Sequence, residues 1–291
     1  MEETNHKWIF PPALRNCMFQ FTSLYNSLYK VADRRKPLMI VGDRGVGKSA
    51  FVDLFVTHFK ADNPGKKIKR LNIASISENL LVSELFGHVK GAFTNADKNK
   101  KGHLTTLGDG GLLILEEIGD INKETQAKLL TVIEDGEYYA VGETSKITKA
   151  KNIQILGTTN KARTDFREDF YDRFFRFRIP PIHQHREDIL YYIGYYYPEL
   201  LNQLTPGEVL CLIGYNWPGN VREIENACDQ IRWRQRIIFD TSQREGSTII
   251  EPLVGGMLNP AMSNPLPHKV AFESREQISK YFNQWGILKK I

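Results

Sequence analysis

The segment Gly42-Asp43-Arg44-Gly45-Val46-Gly47-Lys48-Ser49 constrains this chain of 291 residues more than any other stretch. It has the P-loop spacing: a glycine, four residues, then Gly-Lys-Ser. Glycines let backbone N–H groups close around phosphate oxygens, and a helix that begins there points its positive end at them. Lys48 is placed to neutralise the outer phosphates, and the Ser49 hydroxyl to ligate magnesium. Gly42 through Ala50 are therefore the candidate phosphate-binding residues. The run Leu38–Val41 before them reads as a buried strand and residues 48–59 as a helix, which is the context the motif needs.

A phosphate-cleaving site also needs acidic groups at the end of another strand. Leu112-Leu113-Ile114-Leu115-Glu116-Glu117 supplies them: an apolar strand that ends in two carboxylates. Glu116 would orient magnesium and Glu117 would polarise the attacking water. Around these two motifs, strand and helix patterns alternate. Helix-period apolar residues run over 12–33. Strands are expected at 38–41, 68–73, 112–115, 153–157 and 174–179, and helices at 48–59, 78–86 and 124–134. Such alternation predicts an α/β fold, a mostly parallel sheet with helices on both faces. After Pro180-Pro181 the pattern is helical only, over 188–196, 206–214 and 220–237. Residues 240–267 are rich in Gly, Pro, Ser and Asn and read as a linker, with one more helical stretch at 273–285. The expected organisation is an N-terminal helical segment (1–36), a nucleotide-binding unit (37–180), a helical lid (181–240) and a tail (241–291).

Composition sets the class. Hydrophobic residues make up 41% and charged residues 25%, as in ordinary soluble domains, and the longest apolar runs fall far short of a membrane span. The start of the chain lacks a secretory pattern, and three widely spaced cysteines match no zinc motif, so a reducing cytoplasm is expected. The net charge of +5 permits an anionic partner without requiring one. Basic clusters at 34–36, 66–70 and 98–101 read first as solvated faces.

Further motifs then occur in a fixed order: Ser83-Glu-Leu-Phe-Gly-His88, Lys90-Gly91-Ala92-Phe93-Thr94-Asn95-Ala96, Gly110 to Asp120, Phe166-Arg-Glu-Asp-Phe-Tyr-Asp-Arg173, and Trp217-Pro-Gly-Asn-Val-Arg-Glu-Ile-Glu-Asn226. Over about residues 36–235 the chain resembles the AAA+ central domain of bacterial enhancer-binding proteins, which activate sigma-54 RNA polymerase. The resemblance implies a three-layer αβα P-loop sandwich followed by a small helical lid, with ATP and Mg2+ as cofactors. It implies that Asn72 is the switch asparagine acting on Glu117, and that Asn160 after Thr159 senses the γ-phosphate. Arg167 and Arg173 would reach a neighbouring subunit's site in a ring, typically a hexamer, and Arg222 would contact the nucleotide from the lid. Residues 91–96 correspond to the loop that touches sigma-54, with Phe93 and Thr94 at its tip.

Three departures qualify the resemblance. Glu116 stands where the family has aspartate, Asn95 replaces a glycine of the loop, and Ser49 follows Lys48 where many relatives have glutamate. The leading expectation is an ATP-driven remodeller of sigma-54 RNA polymerase. The alternatives are the same machine acting on another client, because Asn95 alters the loop, and an oligomeric nucleotide-binding scaffold with little hydrolysis, because Glu116 alters the metal site. About 36 residues precede the core, too few for a receiver domain, so regulation is expected to be external or the chain to be a fragment. Residues 274–287 faintly resemble a recognition helix, so DNA is a further candidate partner.

Overall fold

The computed structural model describes residues 11–29, 36–94, 96–150, 152–201, 209 and 212–229. In chain order the elements are α1 (Pro12–Tyr29), β1 (Leu38–Val41), α2 (Lys48–Asp62), β2 (Ile68–Asn72), α3 (Glu78–Phe86), β3 (Gly87–His88), β4 (Lys100–Lys101), α4 (His103–Leu107) and β5 (Leu112–Glu116). They continue with α5 (Lys123–Asp135), β6 (Glu137–Tyr138), β7 (Thr148–Lys149), β8 (Gln154–Thr159), α6 (Glu168–Asp172), β9 (Phe175–Arg178), α7 (Glu187–Tyr196) and α8 (Pro198–Leu201). Residues 220–229 are helical as well.

Five strands form one parallel sheet in the order β2-β5-β8-β1-β9. The inner strands β5 and β8 are covered on both faces, with Leu112 to Leu115 and all of β8 buried, whereas the edge strands β2 and β9 carry exposed basic residues. Alternation along each strand divides the side chains between two layers. Met39, Leu113, Leu115 and Ile155 join the cluster that includes Leu81 and Leu85 of α3, Leu129 of α5 and Phe170 of α6. On the other face, Phe177 of β9 meets Phe21 of α1 and Phe51 of α2, with ring centroids 4.9 and 5.4 Å apart. Phe55 and Tyr25 extend this aromatic layer. α1 begins with Pro12, a residue suited to a first helical turn, and buries Leu14, Phe21, Tyr25 and Leu28 at helical spacing. α5 is capped at both ends, by the Asn122 side chain accepting the Thr125 N–H at 2.8 Å and by Gly136 in the left-handed conformation.

β1 has β8 on one side and β9 on the other, while its outgoing connection leads to the far edge strand β2. The loop after β1 therefore opens at a topological switch point, where α/β sheets bind ligands. The chain divides into two compact units, one comprising residues 19–43 and 47–179, the other 1–18, 44–46 and 180–291. In the second unit, the Trp217 side chain is buried and donates to the Leu212 carbonyl at 2.8 Å. The Arg186 guanidinium donates to the carbonyls of Ile213 and Gly214, both at 2.7 Å, closing the turn before residues 220–229. Cys17 and Cys228 are unpaired, and burial pushes the Cys228 thiol up to about 12.

The expected strands and helices of the sheet unit all occur, with small shifts at their ends. The two-residue hairpins β3–β4 and β6–β7, and the short α8, were not expected; two residues carry no periodicity to read. Of the helix expected at 206–214, residues 209 and 212–214 are described and helical. The linker, the end of the helix expected at 220–237 and the stretch at 273–285 lie outside the described residues.

Candidate nucleotide site

The P-loop leaves the carboxyl end of β1 and is tied at once to the neighbouring strand, since the Gly42 N–H donates to the Thr159 carbonyl at 3.1 Å. Gly47, at φ 94°, turns the chain into α2, and the Ala50 N–H donates back to the Gly47 carbonyl at 3.0 Å. That left-handed turn needs a residue without Cβ. The Lys48 ammonium donates to the carbonyls of Gly42 at 2.9 Å and Asp43 at 3.1 Å, so it lies across the mouth of its own loop. Ser49 is exposed in the first turn of α2. Residues 44–46 belong with the helical unit. There the Asn220 side chain donates to the Arg44 carbonyl at 2.9 Å and accepts the Ile182 N–H at 2.9 Å, and the Val221 N–H donates to the Gly45 carbonyl at 3.1 Å. Gly45 has φ 78°, and a Cβ on it would overlap the Gly219 carbonyl oxygen. Arg222, two residues after Asn220, is exposed.

At the adjoining strand ends, the carboxylate pair is half-buried. Glu117 has φ 55° and ψ 46°, a left-handed conformation that costs a non-glycine residue about 1–3 kcal/mol. Its N–H donates to the Thr158 hydroxyl at 3.3 Å, and the Thr159 hydroxyl accepts the Lys161 N–H at 3.0 Å. Strain of this kind re-aims a side chain away from the strand direction and is characteristic of functional positions. Asn72 pairs with Glu116 in the β2–β5 register, and among the described residues no hydrogen bond joins Asn72 to Glu117. Asn160 follows β8, half-buried beside the Gly42–Thr159 contact.

The Glu116 carboxylate has a partner that the sequence did not disclose. Arg70 of β2 donates to Glu116 Oε1 at 2.7 Å and, through its other terminal nitrogen, to Asp53 Oδ1 of α2 at 2.9 Å. The hydrogen bond that Arg70 donates to Glu116, with the charges of Glu116 and Asp53, raises the Arg70 pKa while burial opposes the rise. Arg70 lies in the basic run 66–70, which reads as a solvated face. Only the register of β2 against β5 puts it on the Glu116 side of the sheet.

The α6 segment is anchored from below by Phe166, Phe170 and Phe174, all buried, and carries its arginines outward. Arg167 makes a two-point contact with Asp169, at 3.1 and 2.7 Å, and Arg173 pairs with Glu134. The Arg167 hydrogen bonds hold the Asp169 carboxyl below its ordinary value. Exposed pairs such as these are screened by solvent and contribute little, so either arginine can exchange its carboxylate for another anion at little cost.

The loop of residues 89–99 rises from the β3–β4 hairpin. The Gly91 N–H donates to the Ala96 carbonyl at 2.8 Å, the Ala96 N–H to the Phe93 carbonyl at 3.0 Å, and the Lys90 N–H to the Asn99 side chain at 2.7 Å. Gly91 and Thr94 are exposed, Ala92 is half-buried, and Ala96 is buried. Phe93 is 45% exposed, with its ring edge against His88. Asn95 lies outside the described residues. The aromatic tip is thus offered to solvent, although the core below it is otherwise rich in buried phenylalanine.

Comparisons with known proteins agree with this arrangement. Residues 17–180 match the Sigma-54 interaction domain. The chain is 32% identical over 285 residues to the Nif-specific regulatory protein of Azotobacter vinelandii, covering 90% of this chain and 52% of that protein. It is 35% identical over 222 residues to the transcriptional regulatory protein ZraR of Escherichia coli K12, covering 71% of this chain and 49% of the other. The chain therefore spans about half the length of the curated relatives it matches. Crystal structures of NtrX from Brucella abortus, one of them in complex with ADP, share its fold. That complex gives a TM-score of 0.61 at 24% identity, over 94% of this chain and 59% of NtrX. With more than half its length matching that domain, and a parallel P-loop sheet of the AAA+ type beneath it, the chain belongs to the Sigma-54 interaction domain family.

Proposed function

We propose that this chain hydrolyses ATP and uses the energy to remodel sigma-54 RNA polymerase, activating transcription from the cytoplasm. The observation that carries this reading is the carboxyl edge of the sheet, where the P-loop is bonded to the end of β8 and the strained Glu117 follows β5. Lys48 and the backbone N–H groups of the loop would hold the phosphates. Magnesium is ordinarily held by one or two protein side chains together with phosphate oxygens, so Ser49 and Glu116 form a sufficient donor set. Arg70 occupies Oε1 of Glu116, and a carboxylate offers about four lone-pair positions, which leaves room for the ion. When bound, the metal would supply charge neutralisation between the phosphates. Glu117 would take the proton of the attacking water, and Asn72 and Asn160 would relay the state of the γ-phosphate.

Arg167 and Arg173 stand on a rigid segment with weakly held guanidinium groups, as a contribution to a neighbouring subunit requires. This supports a ring, by family likeness a hexamer, with Arg222 contacting the nucleotide from the lid and Phe93 and Thr94 gripping sigma-54. The division into a nucleotide-binding unit at 37–180 and a lid at 181–240 is part of the same reading, and DNA contact through residues 274–287 rests on sequence alone. A second reading, a nucleotide-binding scaffold with little hydrolysis, is favoured by the Arg70–Glu116 ion pair. Steady-state hydrolysis decides between them. Lys48→Ala and Glu117→Gln should each abolish turnover, the second with ATP binding retained. Mixing Arg173→Ala with Lys48→Ala subunits should restore part of it through the intact interfaces. Wild-type turnover in Glu117→Gln would remove Glu117 from its role, and no turnover in the wild-type chain would favour the scaffold.

A further inference from the structure

The departure of Glu116 from the family's aspartate has a physical counterpart on the neighbouring strand. Arg70 and Asn72 are two residues apart on β2 and so share a face of the sheet, and Asn72 is the register partner of Glu116. From that face Arg70 reaches diagonally to Glu116 Oε1 at 2.7 Å while its other arm meets Asp53 at 2.9 Å, five residues beyond Lys48 on the P-loop helix. Aspartate at position 116 would draw the carboxylate back by about one bond length, beyond hydrogen-bond range of the guanidinium. Glutamate and Arg70 are therefore a matched pair.

We propose that Arg70 is a positioning residue that sets the divalent-metal demand of the site, bracing Glu116 against the P-loop helix and lending its carboxylate a fixed positive charge. The proposal rests on the reading of the P-loop as a nucleotide site. Two effects compete. Bracing spares the loss of rotamer freedom that Glu116 would otherwise suffer on binding a metal, which favours the ion. The guanidinium, however, stays charged at every working pH and repels a dication, with an energy that grows as the product of the two charges. Asp53 offsets part of that charge, but at 2.9 Å it is no nearer to the guanidinium than Glu116 is. The repulsion outweighs the saved freedom of one side chain. The site binds divalent metal more weakly than a free strand-end carboxylate would, and nucleotide binding depends correspondingly less on magnesium.

Manganese, which takes the same oxygen ligands and is visible by electron paramagnetic resonance, tests this on the 291-residue chain saturated with ADP. Arg70→Gln keeps a hydrogen-bonding side chain but removes the charge. It should bind Mn2+ about tenfold more tightly than wild type, with the gain shrinking at high salt. In a Glu116→Asp background, where the pair cannot form, the same substitution should change the Mn2+ Kd by less than about threefold. An Arg70→Gln chain with unchanged or weakened Mn2+ binding, while ADP still binds, overturns the proposal. If Arg70→Gln fails to fold, Asp53→Asn provides the test: with Arg70 left wholly to Glu116, Mn2+ binding should weaken, and an unchanged Kd overturns the role. A wild-type chain that binds no ADP with or without metal is a different failure, because it removes the nucleotide reading itself.

Discussion

At the carboxyl edge of the sheet Lys48, Glu116 and Glu117 are each tied to a neighbour. Lys48 bonds two carbonyls of its own loop, Glu116 is braced by Arg70, and Glu117 is held in a strained conformation on Thr158. The hairpin loop 89–99 is built otherwise. Its backbone is closed by a few hydrogen bonds, and its one aromatic side chain, Phe93, is left in solvent against a single histidine. Chemistry demands atoms held to within fractions of an ångström, and the first region is the one built that way. The second leaves its aromatic side chain 45% exposed, where a substitution disturbs the core little. Of the two departures, Glu116 has a partner in Arg70.

The sharpest way to break this contrast is to attack what holds the fixed region. Phe170→Ala removes a fully buried ring beneath the Arg167–Arg173 segment and should cost about 3–5 kcal/mol in denaturant unfolding. Lys48→Ala should weaken ATP binding about a hundredfold by calorimetry, the loss of a charge-assisted set of contacts, with little change in unfolding. Gly45→Ala forces a Cβ into the Gly219 carbonyl at a positive φ and should destabilise the helical unit by about 2 kcal/mol, read from the fluorescence of the buried Trp217. A smaller effect is expected at the hairpin base. The hydrogen bond from Lys100 holds the Glu84 carboxyl below its ordinary value, and burial holds His103 below its own. Both groups therefore stabilise the fold above their ordinary values. That contribution is lost as pH falls, from below about 6.5 for His103 and from below about 4.5 for Glu84. Amide exchange at Gly87, His88, Lys100 and Lys101 should quicken accordingly, by at most about 1 kcal/mol of protection since the pair is partly exposed. Smallest of all, Phe93→Ala should change unfolding free energy by less than about 0.5 kcal/mol. A loss of several kcal/mol there would show that the loop is part of the core after all.

The fold was legible because its signals are strong and local. Four apolar residues before a P-loop mark β1, and the run at 112–115 ending in glutamates marks β5. The helical spacing of Leu14, Phe21 and Leu28 marks the buried face of α1. The site was legible only where a motif names its residues. Arg70 and Asp53 belong to no motif, and the pairing of β2 with β5 is a long-range register that no local pattern encodes. A basic run on an edge strand looks like a solvated face until that register is known. The positive φ of Glu117 was equally hidden, since a glutamate carries no turn signal of its own. The two-residue hairpins that carry the exposed loop were missed because pairing, rather than periodicity, defines them.

The central claim is that the fixed region drives a grip exerted by Phe93, and binding to sigma-54 RNA polymerase tests it most directly. With a transition-state analogue of ATP the wild-type chain should form a complex with the holoenzyme. Phe93→Ala should form none, while hydrolysing ATP at close to the wild-type rate. If the wild-type chain ignores the holoenzyme in every nucleotide state, and Asn95→Gly does too, the sigma-54 reading is contradicted and the loop serves another client.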